Sequence, residues 1–182
     1  MDNILKIKAV LLYILNKSER HDVYTIVKTA YYAQQLHFVK WALPLYKDKI
    51  AALQFGPVPS TIYDILKMAR GDKRVLNFYG SSPLRCVAET IGFQDEVFFA
   101  KEDVDCDVLS QSNIECLDEA IAKVASMDFD KIVADTHGDE WNRVWNSKSR
   151  FMDDIMIAKE GGADDSIIGY LQEALDLEEM LG

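Results

Sequence analysis

The residue types best suited to acid–base chemistry are few in this sequence and stand far apart. The three histidines, His21, His37 and His137, have no metal-ligand spacing to one another or to a cysteine. His137 is the best candidate for proton transfer, because Asp139 and Glu140 follow it and nearby carboxylates can raise the pKa of an imidazole. One interpretation is therefore an enzyme of unknown reaction that uses His137 as acid or base.

Other patterns that could hold a metal ion or a cofactor are incomplete. Asp103, Asp105 and Asp107 alternate as in a calcium-binding loop, but the glycine of the turn and the glutamate that closes such a loop are missing. The sequence also has none of the common signatures of phosphate-binding loops, zinc proteases or serine hydrolases. We therefore predict no catalytic residue, no cofactor and no metal, with His137 chemistry as the alternative.

The charge of the chain disfavours some classes of partner. Lysine and arginine total 20 against 30 aspartates and glutamates, which gives a net charge of -10. Such a field repels nucleic acid and anionic membranes and favours basic protein partners. We therefore expect neither nucleic acid nor a membrane as a partner, and the composition leaves the oligomeric state open.

Cysteine usage and hydropathy indicate the cytoplasm. Cys86, Cys106 and Cys116 are odd in number and lack Cys-x-x-Cys spacing, so we expect buried or partly buried thiols in a reducing compartment. The longest apolar run, Ala9 to Leu15, is too short to span a bilayer, and the first residues lack the pattern of a secretory signal. The protein is thus predicted to be cytoplasmic.

Apolar periodicity predicts an α+β fold that is predominantly helical, a helical domain with a small antiparallel sheet or hairpin in the middle of the chain. Helices are expected at Ile4–Leu15, after an N-cap at Asp22, from Pro59 to Arg70, after a capping box at Ser112, at Phe129–Ala134, and around Trp141 after a second capping box at Thr136. Strands are expected at Lys49–Phe55, Val75–Tyr79 and Glu96–Ala100, the last two paired as a hairpin or small sheet.

The end of the chain has the pattern of an appended element. Residues 161–165 form a glycine-containing, hinge-like break, and apolar residues recur at helical spacing from Ile167 onwards. We predict one domain over residues 1–160 and a C-terminal amphipathic helix over residues 161–182 that packs on the domain or binds a partner. The acidic end of this helix comprises Asp176, Glu178 and Glu179.

A glycine and two prolines predict a sharp corner ahead of the third helix. Gly56 permits a positive φ, while Pro57 and Pro59 keep the residues before them extended. Ser60 or Thr61 can then cap the new helix. These rules explain the segment as a rigid corner that ends an extended stretch and starts a helix.

Four segments are notable for their order and separation in one chain. They are Val27–Phe38, Pro44–Tyr46, Ala52–Asp64 and Thr136–Trp141. Together they resemble the Panacea domain, the SocA-like antitoxin family that also includes phage-associated GepA-type proteins. The most specific parts are the Gly-Pro-Val corner with Tyr63 behind it, and the Thr-His pair with a tryptophan nearby. The resemblance covers roughly Val23 to Trp145.

The resemblance implies an antitoxin, a protein that neutralises a cognate toxin by direct binding or delivers it to a protease as an adaptor. It implies a bacterial or phage toxin-antitoxin system and no catalytic chemistry. We expect the two signature segments to meet in space, with His137 at the Gly-Pro corner. The signature or partner-binding residues would be Gly56, Pro57, Tyr63, Thr136, His137 and Trp141.

A DNA-binding regulator is the remaining alternative. The first two helices and a hairpin could form a winged helix-turn-helix. The net charge of -10 argues against it, because DNA-binding surfaces need cations for the phosphates.

Overall fold

The computed structural model describes residues 3–181, apart from the side chains of residues 178, 179 and 181. Within this part the chain is α+β and predominantly helical, as the sequence predicted. The helices are α1 (Asn3–Lys17), α2 (Val23–Trp41), α3 (Ser60–Ala69), α4 (Lys73–Tyr79), α5 (Pro83–Glu89), α6 (Gln111–Ala125), α7 (Phe129–Thr136), α8 (Asp139–Trp145), α9 (Asp154–Glu160) and α10 (Asp165–Leu181), with a short 3-10 helix at Cys106–Val108. The strands are β1 (Ile50–Leu53), β2 (Gly56–Pro59), β3 (Ile91–Gln94) and β4 (Val97–Ala100), which form two separate antiparallel hairpins.

Helix α2 is the centre of the fold. It begins where the sequence predicted, because the carboxylate of Asp22 accepts the backbone N–H of Thr25 at 2.9 Å. Every residue from Thr25 to Gln34 is buried, so this central part of the helix is covered on all sides. Its neighbours include α1, α3, α6, α9, α10 and β2. Removing this apolar surface from water provides the main stabilisation of the domain.

The β1–β2 hairpin accommodates two prolines through its register. β1 confirms the predicted strand in its central part, and Pro57 lies opposite Ala52. The N–H of Ser60 donates to the carbonyl of Lys49 at 3.0 Å, so alternate residues of β2 bond to β1, and Pro57 and Pro59 face away from it. β2 therefore loses no bond to β1 from the missing proline N–H groups.

The second hairpin corrects one predicted strand pairing. β4 agrees with the expected strand, but its partner is β3 and not Val75–Tyr79. That segment lies in helix α4, which begins where the side chain of Asp72 accepts the N–H groups of Arg74 and Val75. The predicted strand is wrong because this N-cap, together with a 2.8 Å bond from the hydroxyl of Tyr79 to Asp64, holds a short helix against α3.

The cap of α3 comes from a residue distant in sequence. The N–H groups of Thr61 and Ile62 donate to Oδ2 of Asp48 at 2.9 and 3.2 Å. Pro59 is the N-cap residue, and the hydroxyl of Ser60 is buried without a protein partner. The prediction that Ser60 or Thr61 caps this helix is therefore wrong, because the loop after α2 brings a carboxylate to the same place.

Neither of the two predicted capping boxes lies where the sequence predicted it. Helix α6 begins at a capping box between Ser110 and Asn113, two residues before the expected Ser112. Thr136 does not cap α8, because it still belongs to α7 and its hydroxyl donates to the carbonyl of Ile132 at 2.8 Å. The N-cap of α8 is Gly138.

Helix α10 packs on α2 and α9 through a buried Leu171. The side chains of Glu178 and Glu179, part of the predicted acidic end, lie outside the described residues. Cys116 is buried, but Cys86 and Cys106 are exposed on surface helices, so the expectation of three buried or partly buried thiols is wrong for two of them. Among the described helices, none combines the length and the hydropathy that a membrane crossing needs.

Candidate functional site

The first part of the site is a cluster that we call the packed corner. Its residues are Lys28, Gly56, Pro57, Thr136, His137 and Trp141, from α2, β2, the end of α7 and α8. The cluster joins the two sequence segments that were expected to meet.

Gly56 is the point of closest approach. Its φ is +99°, a backbone angle that residues with a side chain rarely adopt. A Cβ at this position would lie 2.5 Å from Nζ of Lys28 and 2.6 Å from Oγ1 of Thr136. Glycine is required here for two independent reasons, the backbone conformation and the lack of space.

Lys28 is a buried cation in the middle of this corner. It is 0% exposed, and its Nζ donates to the carbonyl of Pro57 at 2.9 Å. That carbonyl faces away from β1, so the lysine supplies a partner that the hairpin does not. Burial lowers the pKa of Lys28 from its ordinary value to about 7, because the charged form loses its hydration.

Trp141 connects the corner to the hairpin and to the surface. Its indole N–H donates to the carbonyl of Leu53 at 2.9 Å. The ring of His137 stacks on one face with the centroids 3.6 Å apart, and Trp145 stacks on it at 5.3 Å. His137 is thus connected to the β1–β2 hairpin by way of Trp141.

The electrostatic setting of His137 differs from the one predicted. Burial and the charge of Lys28 lower its pKa, and Nε2 is buried without a protein partner. The expected carboxylate effect is missing because Glu140 turns to Arg143, with Oε2 2.6 Å from its Nε. The expectation of a raised pKa for His137 is therefore wrong.

The start of α8 is held from outside the corner. Gly138, the N-cap, offers no side chain, and the carboxylate of Glu160 accepts the N–H of Glu140 at 2.5 Å instead. A Cβ on Gly138 would lie 2.6 Å from that carboxylate. Helix α9 therefore fixes the helix that carries Trp141.

The second part of the site is a surface depression that we call the aromatic groove. It has a volume of about 440 Å³ and lies between the start of α2, the β1–β2 turn, α3 and the start of α7. Six of its lining residues are Tyr24, Val27, Phe55, Val58, Tyr63 and Phe129. Tyr63 is partly buried, with Nζ of Lys67 4.4 Å from its ring centroid. Of the six predicted site residues, Tyr63 is the one that lines this groove.

The comparison with protein families decides what kind of protein this is. The family described as "Antitoxin SocA-like, Panacea domain" matches residues 26–142, which is more than half of the chain. The chain belongs to this family. Membership supports an antitoxin-like role and implies a toxin partner in general. Neither the curated proteins nor the solved structures gave a significant match.

The Panacea match contains both parts of the site but not all that supports them. Residues 26–142 include the whole packed corner and most of the aromatic groove. Glu160, which holds the start of α8, lies outside the match, as do α1, α9 and α10. Among the side chains that the structure describes, no group of three or more His, Cys, Asp or Glu is placed to hold a metal ion.

Sequence reasoning missed Lys28, Phe55 and Phe129 in this Panacea domain. Thr25, Lys28 and Thr29 share one helix face by spacing, a pattern typical of a solvent-facing stripe, but β2 covers that face. Phe55 stands beside Gly56 at a hairpin turn. An aromatic residue at a turn tends to be exposed, and this was the one sequence signal that could have pointed to Phe55. Phe129 is the first residue of α7, and nothing in the sequence around it indicates that its side chain is exposed.

Proposed function

We propose that this Panacea protein is an antitoxin that neutralises a cognate toxin by binding it directly, in a bacterial or phage toxin-antitoxin system in the cytoplasm. The observation that carries the proposal is the family match over residues 26–142, which includes the packed corner and Tyr63. In this proposal the packed corner holds the scaffold, and the surface beside it meets the toxin.

The surroundings of His137 favour binding over catalysis. One face of its ring is covered by Trp141, and Nε2 is buried. A polar cleft of about 430 Å³ lies nearby and is lined by Thr136, Gly138 and Asp139, but His137 is not part of its lining. A general acid or base must reach a substrate proton within hydrogen-bonding distance, and the ring of this histidine is stacked on Trp141 with Nε2 buried.

The position of α2 argues against the DNA-binding alternative. A recognition helix needs one face free to enter the major groove. Residues 25–34 of α2 are all buried, and its neighbours lie on every side. Helix α2 is therefore part of the hydrophobic core and cannot act as a DNA-recognition helix.

Co-expression provides the test of the proposed function. The small gene beside this one is expressed alone and together with the antitoxin, and growth is measured. We expect the neighbour to arrest growth by itself and the antitoxin to restore it, with the two proteins co-purifying. A neighbour that is toxic by itself and remains equally toxic with abundant soluble antitoxin would contradict the proposal.

The same binding could neutralise the toxin in two ways. If the antitoxin blocks the toxin, the amount of toxin in rescued cells stays constant and a purified complex is inactive. If it delivers the toxin to a protease, toxin levels fall in rescued cells, and growth arrest returns in strains that lack that protease. Measuring toxin half-life with and without antitoxin separates these outcomes.

A further inference from the structure

The aromatic groove combines a surface depression with exposed aromatic rings. Phe55 is 50% exposed and Phe129 46%, and their ring centroids lie 5.5 Å apart. Tyr24 continues the series, with its ring centroid 4.6 Å from that of Phe129. Single exposed apolar residues are common on protein surfaces, but a contiguous aromatic patch around a depression is typical of an interaction site.

Rigid elements hold these rings in place. Phe55 lies at the turn of the β1–β2 hairpin, which is tied to the core by the bond from Trp141 to Leu53. Phe129 is the first residue of α7, whose start is fixed by the side chain of Asp128 accepting the N–H of Lys131 at 2.9 Å. A surface that is ordered before binding loses little conformational entropy on docking.

Three aspartates lie next to the groove. Asp22 precedes α2 at its edge, and Asp128 and Asp130 flank Phe129 in the sequence. Most cations nearby are buried or already bonded: Lys28 is 0% exposed beneath the ring of Tyr24, Arg20 donates to the carbonyls of Val124 and Met127, and Lys67 forms an ion pair with Asp64. Lys131 is exposed on the same turn of α7. Together with the net charge of -10, this border favours a basic partner.

We propose that the aromatic groove is the toxin-docking surface of this antitoxin. It takes a segment of the cognate toxin that places one or two large apolar side chains against Phe55 and Phe129, flanked by lysine or arginine residues next to the acidic border. The inference rests on the proposed function and adds the place of contact and the chemistry of the bound segment. Aromatic anchors in a central pocket commonly provide most of the affinity of an interface.

Truncation of the exposed rings provides the first part of the test. The purified product of the neighbouring gene is titrated with wild-type antitoxin, with the double variant Phe55→Ser and Phe129→Ser, and with Phe78→Ser as control. Phe78 is 82% exposed on α4 and is not among the lining residues of the groove. We expect about a tenfold or greater loss of affinity for the double variant and less than about a twofold change for the control.

Charge reversal provides the second part. Asp130→Lys, beside Phe129, is compared with Asp103→Lys, an exposed aspartate next to α1. We expect Asp130→Lys to slow association several-fold at low salt and the difference to shrink as salt is raised, because exposed charges are screened. Asp103→Lys should have a smaller effect on association.

The outcomes separate the two proposals. If the wild type binds and neutralises the toxin while the folded groove variants do so equally well, the groove is not the docking surface, but the antitoxin function stands. If the wild type itself neither binds nor neutralises a demonstrably toxic neighbour, both proposals are overturned. Circular dichroism and thermal unfolding of each variant establish that a lost affinity does not reflect a lost fold.

Discussion

The packed corner and the aromatic groove share the β1–β2 hairpin, but they differ in burial and in the chemistry of their surfaces. In the corner, Lys28, Gly56 and Pro57 are buried and fixed by close contacts. In the groove, Phe55 and Phe129 present large apolar surfaces to solvent. Five of the six predicted signature residues lie in the first region, whereas the second has large apolar surfaces exposed to solvent.

If the predicted signature residues are right, the family signature marks the scaffold more than the contact surface. Gly56 is needed because its segment meets Lys28 and Thr136 with no space for another carbon atom. Such positions tolerate few residue types, so they give recognisable motifs. A docking surface that must fit one particular partner has no such restriction. Substitutions that separate stability from binding can test this division.

The largest expected effect is that of Gly56→Ala in the packed corner. The new Cβ would overlap Lys28 and Thr136, and the φ of +99° would be strained, so we expect a loss of about 3 kcal/mol or more in the free energy of unfolding. Urea denaturation measures it. Gly71→Ala is the matched control, because Gly71 has a φ of +87° but a Cβ there would meet no other atom within 4 Å. Equal losses in both variants would show that backbone strain alone accounts for the effect.

Trp141→Phe should have the next largest effect. It removes the bond to the carbonyl of Leu53 and part of the buried ring, and we expect a loss of about 2 kcal/mol in the free energy of unfolding. Trp145→Phe serves as control, since Trp145 is 48% exposed at the outer end of the stack. Its change should stay within about 0.5 kcal/mol. A larger loss for Trp145→Phe than for Trp141→Phe would contradict the assignment of Trp141 as the structural anchor.

Lys28 should give the corner a characteristic pH dependence. Its pKa is about 7 in the folded protein and 10.5 as the ordinary value, so the unfolded chain binds the proton first as the pH falls. The wild type should therefore lose stability relative to Lys28→Met as the pH falls from about 10.5 to 7, by at most about 1.4 kcal/mol per pH unit. Below pH 7 the difference should level off. Urea unfolding of both proteins at several pH values in this window measures it, and a pH-independent difference would contradict the low pKa.

Tyr63→Ala should have the smallest effect on stability. The residue is partly buried at the groove, and we expect a loss of about 1 kcal/mol in the free energy of unfolding. Toxin neutralisation by Tyr63→Ala should fall by more than its loss of stability explains. In Gly56→Ala, by contrast, stability and neutralisation should fall together. Comparing soluble antitoxin levels with growth rescue distinguishes the two. If Tyr63→Ala reduces rescue only in proportion to soluble protein, Tyr63 belongs with the scaffold.

Local signals predicted the fold class and most of the elements well. Asp22 and the apolar spacing of α1 and α2 are contained in a few neighbouring residues, and the structure agrees with them. Val75–Tyr79 was misassigned because its β-branched and aromatic residues favour a strand, while the deciding contacts come from Asp72 and from Asp64 in another helix. The β3–β4 turn was also hidden, since Asp95 and Glu96 both adopt positive φ without the usual glycine.

The candidate site was harder to predict because it depends on which faces become covered. Lys28 has the residue type and spacing of a surface position, and only the docking of β2 makes it a buried cation. Asp48 caps α3 from a loop more than ten residues earlier in the chain, and Glu160 in α9 holds the start of α8 from 20 residues later than Glu140. Such long-range partners leave no periodic pattern in the sequence.

The orientation of Pro57 and Pro59 has a consequence for association between chains. On the side away from β1, neither residue has an N–H, so this edge offers carbonyl acceptors without the alternating donors that a further strand needs. If α2 separates from the hairpin in a partly unfolded molecule, a second chain cannot extend the sheet there by a regular ladder. The two prolines therefore disfavour edge-to-edge aggregation through β2 in molecules in which α2 no longer covers this edge.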